Sequence, residues 1–193
     1  MCELLSNPHP FWVGIFKNIS IMVSYNAVLD IQFNDGVIVE PVTLTQAKDF
    51  CKVDIGTDDN IITSMIIAAR QMCEGYTNIG FVPHTVTAIV NNENGSIYIP
   101  YGPINTITQV KNDLGKILVL SVDYEVSGNE FKRLLYPEES NITIDYTSGY
   151  TELPAVLKLA LLNQVYYLYD NRSQGVDNIS PIAQSLLNLY KRV

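Results

Sequence analysis

The stretch Ile142-Thr-Ile-Asp-Tyr-Thr-Ser-Gly-Tyr-Thr-Glu-Leu-Pro-Ala-Val-Leu-Lys-Leu-Ala-Leu-Leu-Asn-Gln-Val-Tyr-Tyr-Leu-Tyr-Asp-Asn-Arg172 decides the fold. It begins with the alternating character of a strand, which Ser148 and Gly149 break. Pro154 then opens a long helix, because a residue without an N–H suits a first turn whose N–H groups have no partner. The helix is expected to run to about Asn171. Leu157, Leu161, Val165 and Leu168 make one stripe, with Ala160 and Gln164 beside it. Leu162, Tyr166 and Tyr169 widen the apolar surface. A helix that is apolar on more than one face needs neighbours on several sides, from its own subunit or from others. Nothing in the stretch carries chemistry, so it reads as part of a building block and not of a catalyst.

Downstream, Gln174-Gly-Val-Asp-Asn178 interrupts the helix, and Ser180 with Pro181 starts a last short one over about 181–190, carrying Ile182, Leu186, Leu187 and Leu189. Upstream lie several short β-prone segments punctuated by Gly, Pro and Asn: 85–90, 96–99, 105–111, 116–120, 124–126 and 141–146. Before these, Thr43 and Gln46 have capping-box spacing and open a helix over about 44–51. Thr57, Asp58 and Asp59 offer a second helix start, with acids where the helix dipole favours them. Ile61, Ile62, Met65, Ile66, Ala69, Met72, Cys73 and Tyr76 then recur at helical spacing over about 58–76. The expected fold is α+β: a helical bundle core of about four helices, with a small antiparallel β subdomain (about 85–146) inserted between them.

Residues 1–39 differ from the rest and read as an N-terminal, β-prone arm ahead of a domain over 40–193. Ile19–Val23 and Val28–Phe33 are short and β-prone. Asn34-Asp-Gly36 is a turn signal before Val37-Ile-Val39, so a hairpin or an extended arm is expected. Met22 offers an alternative start, which would make residues 1–21 an upstream extension. Phe11, Trp12 and Phe16 would need a surface to lie on, on a neighbouring subunit or another protein.

Composition sets limits on function. The chain has 193 residues, 47% hydrophobic and 17% charged, which is enough apolar material for a true core and argues against disorder. The low charged fraction fits either a surface partly covered by partners or a plain well-packed monomer. Twenty acids against 12 Lys and Arg give a net charge of -8. Tight binding of DNA rests largely on neutralising phosphates, so direct nucleic-acid binding is not expected. Cys2, Cys51 and Cys73 form no metal or redox spacing, and a reducing compartment without disulfides is expected. No apolar run approaches the length of about 20 residues that spans a bilayer. The first residues lack the charge pattern of a signal peptide.

A search for chemistry finds little. His9 and His84 are far apart and neither has metal-ligand spacing. There is no phosphate-binding glycine loop, dinucleotide fingerprint or nucleophile elbow. Asp58-Asp59 and Glu138-Glu139 fit a helix start and a surface loop better than an acid/base pair. Asp145 reads as an outward-facing strand residue, and only a convergent cluster around it or His84 would revive an enzyme. The 12 tyrosines are the unusual feature. Tyr166, Tyr167 and Tyr169 point to different sides of one helix, and tyrosine is favoured at interfaces.

The order of these motifs resembles the head–tail connector (adaptor, or head-completion) proteins of tailed bacteriophages. The resemblance rests on Glu40-Pro-Val-Thr-Leu-Thr-Gln-Ala-Lys48 with Val53-Asp54, on Asp58-Asp59, and on the helix ending Glu74-Gly-Tyr-Thr-Asn78. It continues through Ile97-Tyr-Ile-Pro100, Pro103-Ile104, Ile107-Thr-Gln-Val110, Asp123-Tyr124 and Asp145-Tyr-Thr-Ser-Gly-Tyr150 to Tyr169-Asp-Asn-Arg172. Asn78-Ile79 stands where the family usually has a glycine step, and Asn tolerates the left-handed backbone needed there.

The resemblance implies a structural virion protein of the neck, with no cofactor, no metal and no membrane. It implies a homo-oligomeric ring of about twelve copies beneath the portal, whose partners are itself, the portal protein and tail or further neck proteins. DNA would pass through its acidic channel without specific binding. Under this reading Ile182, Leu186, Leu187, Tyr190 and Arg192 are expected to dock on the portal. Tyr166, Tyr167 and Tyr169 are expected at subunit contacts, and Phe11, Trp12 and Phe16 at arm contacts. The alternative is an accessory of DNA packaging that is not itself an ATPase.

Overall fold

The computed structural model describes residues 28–93, 95–172 and 178–192. Cys2, His9, Phe11, Trp12 and Phe16 lie outside them. The described chain is α+β, as expected, but it is not a mainly helical bundle with a minor insertion. Four α-helices stand beside two antiparallel sheets of four and three strands. The helices are α1 (Leu44–Cys51), α2 (Asp59–Thr77), α3 (Ala155–Asp170) and α4 (Pro181–Leu187). The strands are β1 (Val28–Phe33), β2 (His84–Asn92), β3 (Ser96–Tyr98), β4 (Ile104–Asn112), β5 (Glu125–Ser127), β6 (Arg133–Leu135) and β7 (Ser140–Ser148).

Local signals place the helix ends. Thr43 accepts the Gln46 N–H and Gln46 accepts the Thr43 N–H, both at 3.2 Å, completing the reciprocal cap of α1. Asn78 closes α2 with a left-handed backbone, φ 55°. Ser180 accepts the Ala183 N–H at 3.1 Å at the start of α4. The helices share one apolar core that includes Ala47, Ile62, Ile66, Ala69, Cys73, Leu157, Leu161, Val165, Ala183 and Leu187. The buried stripe of α2 is rotated from the sequence expectation. Ile61 is exposed, while Arg70, Glu74 and Thr77 are buried. On α3, buried Gln164 accepts the Ser180 N–H at 2.8 Å and so ties the start of α4 to the bundle.

The four-stranded sheet has the order β1-β2-β7-β4 and the three-stranded sheet β3-β6-β5. β2 and β7 are nine-residue strands in continuous register, from His84 opposite Ser148 to Asn92 opposite Ser140. Their inward residues Val86, Ala88, Val90, Ile142, Ile144 and Tyr146 meet Ile97, Ile99, Leu134 and Tyr136 in a second core. The outward face is polar, with the Thr87 hydroxyl donating to Asp145 at 2.7 Å. Residues 28–33, which the sequence places in the arm, form β1 and pair with β2. Of the two expected forms, hairpin or extended arm, no hairpin forms over 28–39: Asn34 donates to the Thr85 carbonyl, and Val37 is 99% exposed. Segment 116–120 makes only isolated bridges, and the short strand β6 carries no sequence signal because only Leu134 of its three residues is buried.

Among the described residues the helices pack on one another and the strands on one another, and helix meets strand only through side chains such as Glu74 and His84. The two cores meet end to end, at the links 78–83 and 149–154. There the backbones approach closely at Gly80 and Gly149, and a Cβ on Gly149 (φ +94°) would sit 1.9 Å from the Val82 carbonyl oxygen. A left-handed backbone combined with a backbone clash makes Gly149→Ala strongly destabilising, by about 3 kcal/mol or more. Urea denaturation of the variant, against Gly75→Ala at an open helical position, measures this loss.

Candidate functional site

The link between the two cores holds a cluster of five charged residues drawn from three segments of the chain. Arg70 and Glu74, one turn apart on α2, pair at 2.6 Å. The Arg70 Nε also donates to both oxygens of Glu40, at 2.9 and 3.1 Å. Glu74 Oε1 accepts the Phe81 N–H at 2.8 Å and faces His84 Nε2 at 3.0 Å. His84 Nδ1 faces Asp35 at 2.5 Å, and Asp35 in turn accepts the Thr85 N–H at 2.8 Å. Phe33 and Tyr101 stand edge-on to the imidazole, with centroids 5.2 and 5.5 Å away. Arg70, Glu74 and His84 are all buried.

With a carboxylate on each ring nitrogen, both N–H donors are used only by the imidazolium. Burial acts against that charge, but the hydrogen bonds to Glu74 and Asp35 and their charges outweigh it and raise the His84 pKa. Burial, reinforced by Glu74, holds the Tyr101 hydroxyl well above its ordinary pKa. Burial likewise pushes the neighbouring Cys73 thiol up to about 12, which makes it an inert core residue.

This is the convergent cluster around His84 that could have indicated an enzyme, and its geometry points elsewhere. Every carboxylate in it already accepts from Arg70, His84 or a backbone N–H. Among the described residues no group of His, Cys, Asp and Glu is arranged to hold a metal ion. The cluster is a clamp between α2, β2 and the 34–40 segment. The other acids noted in the sequence are also structural: Asp58 accepts the Tyr169 hydroxyl at 2.6 Å, Asp59 pairs with Lys48 at 2.6 Å, and Glu138 accepts the Tyr136 hydroxyl at 2.6 Å.

On α4, Ile182 is 62% exposed and Leu186 half-buried, and Leu189 just beyond the helix is 75% exposed. Leu187 is fully buried in its own subunit's core, so it is removed from the docking set. Tyr190 packs against the same core. Arg192 folds back: its N–H donates to the Thr77 carbonyl at 3.0 Å, and its guanidinium stacks 4.1 Å above Phe131. On α3, Tyr166 is exposed and meets Phe50 edge-on, whereas Tyr167 and Tyr169 are half-buried. Leu114, Ile117, Val119, Leu120 and Val122, between β4 and β5, are also exposed, and the sequence reading passed over them.

Residues 40–193 match the family of head completion proteins. The chain belongs to that family. As a head completion protein it is a structural component and not an enzyme. The match starts at Glu40, where the resemblance in the sequence also starts. None of the curated proteins matches the chain. Among solved structures, a chain from the neck of an empty gene transfer agent (GTA) particle, computed with C6 symmetry, is similar with a TM-score of 0.69 at 16% identity. The similarity covers 86% of this chain and 96% of that one. A chain from the virion of a native GTA particle gives the same values. One from the neck of a native GTA particle, computed with C12 symmetry, has a TM-score of 0.63 at 16% identity over 84% of this chain and 96% of that one. These similarities show a shared fold. Among the described residues no helix is long and apolar enough to cross a membrane.

Two expectations follow from the clamp. The raised His84 pKa stabilises the fold fully below the unfolded value near 6.5, and this contribution is lost as pH rises through the higher folded value. Unfolding free energy should therefore fall from about pH 6.5 upward, and His84→Gln should flatten the profile in denaturant titrations across pH. Arg70→Met strands Glu40 without a cation and leaves Glu74 with His84 alone, and should cost about 3–5 kcal/mol in the same assay.

Proposed function

We propose that this head completion protein forms a ring beneath the portal of a DNA-filled, phage-like head, continues the DNA channel and receives the tail. The observation that carries the reading is the match of residues 40–193 to the head completion family. The necks containing similar chains, computed with C6 and C12 symmetry, support a ring of about twelve copies. A net charge of -8 per subunit supports a channel that DNA traverses without adhering.

In this arrangement the C-terminal segment docks on the portal through Ile182 and Leu189, with Leu186 beneath them and Tyr190 and Arg192 at the edge of the contact. Tyr166, on the outer face of α3, meets the neighbouring subunit. Tyr167 and Tyr169 flank it on adjoining faces of the helix, Tyr169 held by its bond to Asp58. Phe11, Trp12 and Phe16 of the N-terminal segment pack on a neighbour or on another neck or tail protein.

Two measurements test this. Particles lacking the protein should contain filled heads without tails; unfilled heads would indicate the packaging role instead. Native mass spectrometry with portal particles should show a stoichiometric ring on the portal. Ile182→Asp combined with Leu189→Asp, both at exposed positions, should weaken that binding by about tenfold or more while the melting temperature stays unchanged. Unaltered portal binding by this double variant would remove the C-terminal segment from the contact.

A further inference from the structure

Besides the C-terminal segment, two further apolar surfaces are uncovered among the described residues, and the topology sets them at opposite ends of the molecule. The first is a knob between β4 and β5. Leu114, Ile117, Val119, Leu120 and Val122 are 53–88% exposed there. The knob has a defined shape. Asn112 Oδ1 accepts the N–H groups of Leu114 and Lys116, at 3.2 and 2.9 Å. Asp123 accepts the Val119 N–H and the Lys116 ammonium, both at 2.9 Å. Five large apolar side chains within nine residues, held outward by side-chain hydrogen bonds, mark an interaction surface and not scattered surface hydrophobes.

The second surface is a groove of about 340 Å³ between α2 and α3, floored by Ile61, Met65, Ala68 and Leu168 and rimmed by Asn171 and Arg172. It is formed by the first half of α2 and the last turns of α3. Both helices meet the sheets at their other ends, α2 through Asn78 and α3 through Pro154. The knob lies beyond Asn112, a full nine-residue strand from the same link, or about 30 Å at about 3.3 Å per residue. One chain therefore cannot seat its own knob in its own groove.

The two surfaces are also complementary in charge. Asp113 is exposed beside Leu114 and makes no ion pair among the described residues, since Lys116 is taken by Asp123. Arg172, exposed on the groove rim, stacks on Tyr169 at 4.5 Å and likewise has no acidic partner among the described residues. An apolar projection flanked by an acid and an apolar recess flanked by a base, at opposite ends of one chain, are what a head-to-tail contact requires.

We propose that the knob of one subunit seats in the α2–α3 groove of the next copy of this chain, with Asp113 against Arg172, and that this contact closes the ring. The inference rests on the ring reading and specifies its interface. Leu114 and Val122, the most exposed members of the knob, enter the recess against Ala68 and Leu168.

The test uses the full chain with Cys2→Ser, leaving Cys51 and Cys73 buried, and adds Leu114→Cys and Ala68→Cys. With a short bis-maleimide under assembly conditions, the double cysteine variant should give a ladder of covalent oligomers. A mixture of the two single variants should stop at dimers, and each alone should give none. Leu114→Asp with Val122→Asp should raise the concentration needed for assembly by about tenfold or more, with an unchanged melting temperature. Asp113→Arg or Arg172→Asp alone should weaken assembly about threefold, and the two together should restore it. Rings that form normally in the Leu114→Asp, Val122→Asp variant, with no cross-link between positions 114 and 68, overturn the knob-in-groove contact and leave the ring intact. A wild-type chain that stays monomeric at all concentrations, with and without portal particles, overturns both.

Discussion

The Arg70–Glu74–His84 clamp is the interaction on which the rest of the structure depends. The chain builds two apolar cores, one from helices and one from two sheets, and neither covers the other. Hydrophobic burial stabilises each core separately and does little to fix the angle between them. The link is held by directional contacts instead: two cations shared among three carboxylates, with backbone N–H groups filling remaining acceptor sites. Buried ion networks contribute little net stability compared with apolar packing. Their geometry is strict, however, and breaking one leaves an uncompensated charge. Here that strictness serves orientation, because the 34–40 segment with Asp35 and Glu40, α2 with Arg70 and Glu74, and β2 with His84 meet only when the two halves are correctly placed.

In the proposed ring, a fixed angle between the halves would matter, because each subunit would have to meet the next at a constant rotation. Closure of a ring is decided by the rotation from one subunit to the next, so a few degrees of slack at the link would spread over every copy. Gly80 and Gly149 serve the same end from the backbone side. They let the two links pass in direct contact, and the left-handed conformation at Gly149 turns β7 toward α3. The surfaces at the two ends then hold a constant relation to one another, whichever partners they meet.

Much of the fold was legible in the sequence because its signals are local. The Thr43–Gln46 cap, the Asn78 helix end, the Ser180 cap and the Pro154 helix start each depend on hydrogen bonds within a few residues, and each forms. Alternation identified β7, and β-prone runs bounded by Gly, Pro and Asn identified β2 and β4, for the same reason. The failures have one cause. Val37–Val39 and 116–120 have strand composition but find no neighbouring strand at the right distance, and β1 ignores the nearby turn signal in favour of a partner more than fifty residues away. Leu187 looked like a surface contact because helical spacing gives a stripe without saying which body the stripe faces. Arg70 and Glu74 were hidden for the opposite reason. A charged pair one turn apart normally lies on a solvated face, and here tertiary partners draw it inside.

The sequence by itself determined the α+β class, most helix boundaries, the family resemblance and the lack of catalytic motifs, all of which follow from short-range periodicity, capping and motif order. Only the tertiary structure decided that the two cores meet end to end, that His84 belongs to a clamp, and which apolar residues remain outside. Those outcomes depend on contacts between residues distant in the chain, such as Asp35 with His84, Glu40 with Arg70 and Tyr76 with Asn188. Such contacts carry no local signature, because the groups that neutralise a charge or cover an apolar face are supplied by whichever segment the fold brings there.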